Sequence, residues 1–130
     1  MAKVLLIEDD DSLAETVAQW LQFEKHTVEI AMTGFEAVEQ LRFGVYDIVL
    51  MDWQLPEMTG IEICKLYRKN GGERPIIMLS GNDSAAERQQ GLDAGANDYL
   101  RKPFKLNELS QRMNRLLPVT PGNAGVPPAS

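Results

Sequence analysis

Short, almost continuously apolar runs recur along the chain and are separated by longer segments in which polar and apolar residues mix. Strands that are buried on both faces have this character, whereas strands with one exposed face alternate between apolar and polar residues. The pattern therefore predicts five β-strands in the interior of the protein, at residues 4–7, 27–31, 48–51, 76–79 and 99–100.

Helix starts are marked between these runs by the capping box, in which a Ser or Thr hydroxyl and a carboxylate three residues later satisfy backbone N–H groups. The signature occurs four times, and each time it follows an apolar run. One match alone is weak evidence, but four matches predict four helix starts. The pairs are Ser12 with Glu15, Thr33 with Glu36, Thr59 with Glu62 and Ser84 with Glu87.

Apolar residues then recur at the spacing of one helix face, which indicates the side of each helix that packs in the core. A fifth helix is predicted from about Leu106 to Leu117, and it ends at Pro118 because proline cannot continue a helix. The first two apolar stripes consist of Leu13, Val17, Trp20 and Leu21, and of Phe35, Val38 and Leu41.

Five strands that alternate with five helices predict an α/β fold. Right-handed crossovers between parallel strands leave few arrangements other than a doubly wound (βα)5 sheet. With 130 residues, of which 44% are hydrophobic, the chain is long enough for one domain with a sizeable core. We assign this domain to residues 1–117 and expect the Pro/Gly-rich residues 118–130 to form a linker or a disordered tail.

Composition argues against several classes of protein. The single cysteine, Cys64, allows neither an internal disulfide nor a cysteine-rich zinc site, which favours a reducing compartment. No apolar run approaches the roughly 18 residues of a membrane helix, and no signal peptide is evident, so we expect a cytoplasmic protein without membrane contact. A net charge of −6 argues against direct contact with nucleic acid, because phosphate contacts require a basic surface.

Chemically reactive side chains stand where the predicted strands end. Glu8 and Asp9 follow the first run and Asp52 the third, while Ser80 and Lys102 follow the fourth and fifth. The carboxyl ends of parallel strands form one edge of a doubly wound sheet, and ligands bind there. A single acidic residue at a strand end is most often a solvated or capping group, but this conjunction predicts a site for a divalent cation and a phosphoryl group.

Four segments resemble the response-regulator receiver domain of bacterial two-component systems. The resemblance covers residue 3 to about residue 117 and implies a flavodoxin-like fold with a parallel sheet in the order 2-1-3-4-5. It also implies a phosphorylation-dependent signalling switch, which catalyses its own phosphorylation and dephosphorylation without being a conventional enzyme. The segments are residues 4–10 (Val-Leu-Leu-Ile-Glu-Asp-Asp), 52–60, 76–80 (Ile-Ile-Met-Leu-Ser) and 95–104.

By this resemblance, Asp52 is the phosphoacceptor, and its partner is a sensor histidine kinase or a phosphotransfer protein that carries a phosphohistidine. The resemblance implies that Mg²⁺ is held directly by Asp9 and Asp52. Glu8 is expected to bind the cation through a water molecule, and Gln54 through its backbone carbonyl. Lys102 is expected to pair with a phosphoryl oxygen, as lysines commonly do.

The resemblance also assigns a conformational switch to Ser80 and Tyr99. The Ser80 hydroxyl binds the new phosphoryl oxygen, and the Tyr99 ring moves into the vacated space. For Tyr99 alone, the alternative is an aromatic side chain that covers the edge of the sheet. The family further places a cis peptide between Lys102 and Pro103, and Gly81 stands where the family usually has Ala.

Four charged side chains on the fourth helix, fifth strand and fifth helix match the positions by which the winged-helix transcription-factor subfamily forms symmetric receiver dimers. On this basis we expect a homodimer, and any DNA contact belongs to an output domain beyond residue 130. The alternative is local, because Glu108 and Arg112 are also an i,i+4 pair that stabilises its own helix. The four residues are Arg88, Asp98, Glu108 and Arg112.

Other functions stay open: a stand-alone receiver that acts by protein–protein contact, an unphosphorylated scaffold, or an aspartyl-phosphate hydrolase. A hydrolase of the haloacid-dehalogenase type needs an Asp two residues after the nucleophile, and here that residue is Gln54. A nucleotide-binding module is disfavoured because no phosphate-binding glycine motif follows any strand. We interpret His26 as a surface histidine and not a phosphodonor, because it stands in a turn.

Overall fold

The computed structural model describes residues 1–82 and 84–118, so the predicted tail lies outside the described residues from residue 119 onward. Within those ranges, no helix is both long and apolar enough to cross a membrane. The strands are β1 (Lys3–Ile7), β2 (Thr27–Ala31), β3 (Ile48–Asp52), β4 (Ile76–Ser80) and β5 (Asp98–Arg101), and the helices are α1 (Asp11–Phe23), α2 (Gly34–Phe43), α3 (Gly60–Lys69), α4 (Ala85–Ala94) and α5 (Leu106–Leu116).

All five strands are parallel and lie in the order β2-β1-β3-β4-β5, which confirms the predicted fold. Strand β1 lies between β2 and β3, with Ile7 opposite Ala31 on one side and Met51 on the other. Strand β4 follows β3, and there Asp52 lies opposite Leu79. The carboxyl ends of β1 and β3 are therefore neighbours near the centre of the sheet.

Apolar side chains cover both faces of the sheet, because most strand positions are apolar. On one face, Met51 belongs to a core that includes Cys64 of α3 and residues of α2 and α4. On the other face, Leu50 belongs to a core that includes Val17 of α1 and Leu109 of α5. Cys64 is fully buried on the core side of α3.

The start of α1 differs from the prediction. The helix begins at Asp11, and its N-cap is Asp10 instead of Ser12. The Asp10 carboxylate accepts hydrogen bonds from the backbone N–H groups of Ser12 (3.0 Å) and Leu13 (3.2 Å). A carboxylate also carries the negative charge that the positive end of a helix favours, which explains the earlier start.

The next three helices begin where the capping signature predicts, with Thr33, Thr59 and Ser84 as N-caps. The complete capping box forms at Thr59, whose backbone N–H donates to the Glu62 carboxylate at 2.9 Å. At Thr33 the box is incomplete, because the Glu36 carboxylate accepts instead from the N–H of the residue before the cap. The same sequence signature thus gives different side-chain partners in different helices.

The prediction that Phe35 packs in the core is wrong, since this side chain is 66% exposed. The buried side chain in the first turn of α2 is Ala37. A Cβ added to Gly34 would come within 2.7 Å of the Met58 Cβ, so Met58 occupies the space under the start of the helix. Phe35 consequently lies at the surface, where it lines a small cavity with Phe43.

His26 lies between α1 and β2, as predicted, but it is half-buried and not simply a surface residue. Its Nδ1 atom accepts a hydrogen bond from the Ala2 N–H at 3.0 Å. Burial, together with the charge of the N-terminus, lowers the pKa of His26. The residue links Ala2, just before β1, to the turn that precedes β2.

Candidate functional site

The polar side chains predicted at the strand ends lie together at the carboxyl edge of the sheet. Glu8 follows β1, Asp52 and Ser80 are the last residues of β3 and β4, and Lys102 follows β5. With Asp9, they line a cavity of about 680 Å³. Parallel strands end at the same edge, and the topology therefore brings together residues up to 94 positions apart in sequence.

Three of the carboxylates that line this cavity lie close together. Glu8, Asp9 and Asp52 each offer one carboxylate oxygen, and these atoms all lie within 4.8 Å of one another. Glu8 is 1% exposed and Asp52 is 8% exposed, whereas Asp9 is open to solvent. Oxygen donors of this kind are the ligands that hard divalent cations prefer, so the donor set fits Mg²⁺.

Lys102 supplies the positive charge of the site. Its Nζ atom lies 2.7 Å from Glu8 Oε1 and 3.2 Å from Asp52 Oδ1. Burial lowers the pKa of Lys102, but the hydrogen bond to Glu8 and the charges of both carboxylates outweigh burial and raise the pKa above its usual value. The lysine is therefore a fixed ammonium ion. The Lys102–Pro103 peptide is cis, as the resemblance implied.

Asp52 has an unusual proton affinity for a carboxyl group. Burial and the nearby charge of Glu8 raise its pKa to about 6, although Lys102 and the backbone N–H of Gln54 act in the opposite direction. Desolvation and a like charge both disfavour the carboxylate form. At neutral pH the group is mostly ionised, and a cation bound beside it would hold it ionised at lower pH as well.

Gln54 lies beside the acidic cluster, as predicted, and lines the same cavity. Its backbone is fixed by an antiparallel bridge to Thr59, just before α3 begins. The Gln54 side chain is exposed. The bridge orders the loop that leaves Asp52 and holds the Gln54 backbone near the carboxylates.

The two predicted switch residues meet on the α4 side of the cavity. Tyr99 is 1% exposed, and Ser80 is 4% exposed. The Ser80 hydroxyl accepts from the Asn82 N–H at 3.1 Å and donates to Glu87 Oε2 at 2.6 Å. The Tyr99 hydroxyl contacts the same Glu87 oxygen and the Asn82 carbonyl, and burial, followed by the hydrogen bond to Glu87, raises the Tyr99 pKa to about 12.

Glu87 is the site residue that the sequence analysis missed. The capping signature assigned its carboxylate to the backbone of Ser84, but the structure directs it to Ser80 and Tyr99. Ser84 still caps α4 through its own side chain, which accepts from the Glu87 N–H at 3.1 Å. The available signal was that Glu87 lies in the first turn of the helix that follows the loop after Ser80.

The four predicted interface residues lie around α4, β5 and α5 and are paired within the chain. One Arg112 amino group lies 2.8 Å from Asp98 Oδ1, and the other lies 3.3 Å from Glu108 Oε2. The Arg88 guanidinium lies 5.4 Å from the centre of the Tyr99 ring. The local i,i+4 alternative for Glu108 and Arg112 therefore describes this state, and the dimer stays a prediction.

Comparison with known proteins identifies relatives of the whole described domain. Residues 4–114 match the sequence profile of the response regulator receiver domain. The chain is 42% identical over 115 residues to the response regulator MprA of Mycobacterium ulcerans (strain Agy99), and this match covers 88% of the chain and 50% of that protein. The chain thus spans about half the length of the curated relatives it matches.

Solved structures show the same architecture. The receiver domain of the Francisella response regulator 1452 matches with a TM-score of 0.86 and 34% identity, over 89% of this chain and 96% of that chain. The Vibrio cholerae chemotaxis protein CheY4 matches with a TM-score of 0.85 and 34% identity, over 90% of this chain and 99% of that chain. The chain therefore belongs to the response regulator receiver domain family, and its role is phosphorylation-dependent signalling in a two-component system.

Proposed function

We propose that Asp52 accepts a phosphoryl group from the phosphohistidine of a sensor kinase or phosphotransfer protein, in a reaction that depends on Mg²⁺. The observation that carries this proposal is the meeting of Asp52 with two further carboxylates and an ammonium group in one cavity. Asp52 is largely buried yet faces that cavity, so its oxygen is accessible to a donor that enters it.

In the proposed reaction, a carboxylate oxygen of Asp52 attacks the phosphorus atom in line with the leaving imidazole. The bond between phosphorus and the histidine nitrogen breaks, and its electron pair leaves with the imidazole. The Lys102 ammonium, now 3.2 Å from Asp52, is placed to pair with a phosphoryl oxygen as negative charge moves onto the aspartyl phosphate.

Glu8, Asp9, Asp52 and the backbone carbonyl of Gln54 are the groups that would hold Mg²⁺ in this proposal. When bound, the cation neutralises the repulsion between the attacking carboxylate and the phosphoryl oxygens. The exposed Asp9 carboxylate would serve as a ligand of the cation, whereas the Asp10 carboxylate caps α1. Replacement of Asp9 by Ala should therefore weaken Mg²⁺ binding far more than replacement of Asp10 by Ala, and equal titrations would remove Asp9 from the ligand set.

The Ser80 hydroxyl is proposed to donate to the new phosphoryl oxygen, and the Tyr99 ring then to change position. Ser80 is already in the cavity, and Tyr99 packs edge-on against Trp53 with ring centres 6.1 Å apart. A movement at Ser80 is thus close to the aromatic contact between Tyr99 of β5 and Trp53. This is the route by which phosphorylation would alter the surface formed by α4, β5 and α5.

We further propose that this surface forms a symmetric homodimer after phosphorylation, and that the whole protein acts on transcription through a winged-helix output domain. The relatives' greater length supports a further domain. In the dimer, Arg112 would exchange its own Asp98 for the partner's. Sedimentation of beryllofluoride-activated protein tests this: Arg112→Glu should remove the dimer, and added Asp98→Lys should partly restore it, whereas an unchanged Arg112→Glu dimer would exclude these contacts.

The phosphoacceptor assignment is tested with acetyl phosphate as a small donor and intact-mass analysis as the readout. The protein should gain one phosphoryl group with Mg²⁺ and none with a chelator. Asp52→Asn should gain none under either condition, while the matched control Asp11→Asn, on the exposed start of α1, should be labelled normally. Equal labelling of the Asp52→Asn variant would contradict the assignment.

A further inference from the structure

The Glu87 carboxylate joins the two switch residues through one oxygen atom. Glu87 Oε2 lies 2.6 Å from Ser80 Oγ and also accepts from the Tyr99 hydroxyl. Glu87 lies in the first turn of α4, is half-buried and lines the same cavity as Asp52. A single side chain of α4 is thus bonded to both β4 and β5 at the site.

This carboxylate is not used for helix capping. In α3, the corresponding Glu62 accepts from the backbone N–H of its own N-cap. In α4, the Ser84 N–H donates to the Asn82 side chain at 2.8 Å instead. The start of α4 therefore does not require the Glu87 carboxylate, and the two hydroxyl groups account for the position of this side chain.

The bond between Ser80 and Glu87 is incompatible with the activated state proposed above. A serine hydroxyl has one proton, so it donates one full hydrogen bond at a time. When Ser80 donates to Glu87, it cannot donate to a phosphoryl oxygen. The Tyr99 hydroxyl also has one proton, for which Glu87 and the Asn82 carbonyl are both acceptors, so Glu87 contributes to holding the ring in its buried position.

We propose that Glu87 is a positioning residue that holds Ser80 and Tyr99 in the unphosphorylated arrangement and thereby weakens binding of the phosphoryl group at Asp52. This inference rests on the proposed function of Asp52 and Ser80. Hydrogen bonds to an ionised carboxylate are stronger than bonds between neutral groups. A phosphoryl group or its mimic must displace Ser80 from Glu87. Its apparent affinity is therefore the intrinsic affinity multiplied by the fraction of molecules in which Ser80 is free.

The direct test is the affinity of the Mg²⁺-loaded protein for beryllofluoride, measured by fluorine NMR of the bound ion. Glu87→Gln keeps the size of the side chain but removes its charge. It should bind beryllofluoride roughly tenfold more tightly than the unaltered protein, because weaker neutral bonds hold the two hydroxyls. The matched control is Glu36→Gln, which removes a carboxylate at the same position of α2 and should leave the affinity unchanged.

The same substitution made in the Ser80→Ala variant separates this role from charge repulsion between Glu87 and the bound ion, and from a loosened α4 helix. In Ser80→Ala, the hydroxyl that Glu87 holds is absent, so Glu87→Gln should bring a much smaller gain. If Glu87→Gln raises the beryllofluoride affinity equally in the Ser80→Ala variant, Glu87 acts through its charge alone. If Glu87→Gln binds beryllofluoride with the affinity of the unaltered protein, Glu87 does not restrain Ser80 or Tyr99. Either result overturns the inference. Failure of the unaltered protein itself to bind beryllofluoride would instead contradict the proposed function.

Discussion

The two ends of the parallel sheet present cavities whose side chains differ in chemistry and arrangement. At the carboxyl end, about 680 Å³ of space is lined by carboxylates, a lysine and a serine. At the amino end, a larger cavity of about 870 Å³ between α2 and α3 is lined by a mixture of apolar side chains, such as Leu41 and Ile63, and polar side chains, such as Arg42 and Glu73. The difference shows that the convergence of charged groups, more than the volume of a cavity, marks the reactive end of this fold.

The two ends also differ in their effect on stability. Glu8 and Asp52 are buried close together, which is unfavourable unless a cation lies between them. Lys102 compensates part of this repulsion. We therefore expect substitutions at the carboxyl end of the sheet to change the rate of phosphorylation strongly, and removal of a buried charge there to raise stability. Substitutions at the amino end should change stability alone.

The largest effect is expected from Lys102→Met, which should lower the rate of phosphorylation by acetyl phosphate on the order of 100- to 1000-fold. The variant lacks the ammonium group that pairs with the phosphoryl oxygen. Mg²⁺ binding should persist, because the substitution removes a cation from the carboxylates and not a ligand. Lys105→Met, at the exposed N-cap of α5, is the matched control and should be phosphorylated normally.

Ile63→Ala tests the other end of the sheet. Ile63 is 1% exposed, and truncation of a buried isoleucine should lower the free energy of unfolding by about 3 kcal/mol in urea denaturation. Phosphorylation of the folded protein should keep its normal rate, because no polar group of the site is altered. A phosphorylation defect as large as that of Lys102→Met would break the distinction between the two ends.

The raised pKa of Asp52 predicts that the carboxyl end costs stability when Mg²⁺ is absent. Its ordinary value is 3.8, and its value in the folded protein is about 6. Between these values the folded state binds more protons than the unfolded state, so stability is greatest below pH 4 for this group and is lost as the pH rises towards 6. Each factor of ten in proton affinity corresponds to about 1.4 kcal/mol. Solvent in the open cavity screens part of this cost, which leaves a loss of about 2 kcal/mol at pH 7.

Asp52→Asn removes this titration. In a chelating buffer at pH 7, the variant should be more stable than the unaltered protein by about 2 kcal/mol, and the difference should shrink as the pH falls to 4. Excess Mg²⁺ should stabilise the unaltered protein more than the variant. Urea denaturation across this pH range is the measurement, and a variant that is less stable at pH 7 would show that Asp52 is not held at an energetic cost.

The smallest effect is expected at Gly81, beside the site. A Cβ at this position meets no atom within 4 Å, and its φ angle lies outside the left-handed region. Gly81→Ala should therefore raise the free energy of unfolding by about 0.5 kcal/mol through a less flexible unfolded chain. Gly95→Ala is the control and should instead lower the free energy of unfolding. Gly95 has φ +117°, and an added Cβ would lie 2.7 Å from Arg68 Cγ.

The sequence predicted the sheet because the strands are buried on both faces, so their apolar runs are nearly uninterrupted. It predicted Glu8, Asp52 and Lys102 as one site because strand ends in a parallel sheet share an edge. These inferences depend only on the order of residues and the topology. They do not require knowledge of individual side-chain contacts.

The sequence did not predict features that depend on tertiary neighbours. Glu62 and Glu87 occupy the same position of the capping signature, yet Glu62 bonds its own helix and Glu87 bonds two strands. Phe35 fits the apolar stripe of α2 but is exposed, because Met58 from a different segment fills the space below the helix start. A local sequence pattern predicts the partners that are close to a side chain along the chain. The tertiary packing determines which partner the side chain contacts.

The central claim is that phosphoryl transfer ends on Asp52 and not on a neighbouring carboxylate. Borohydride reduces an acyl phosphate to an alcohol, which converts a phosphorylated aspartate to homoserine and marks the residue permanently. After phosphorylation with acetyl phosphate and Mg²⁺, peptide mass spectrometry should find homoserine at residue 52 and intact carboxylates at Glu8 and Asp9. Reduction at Glu8 or Asp9, with Asp52 unaltered, would contradict the account.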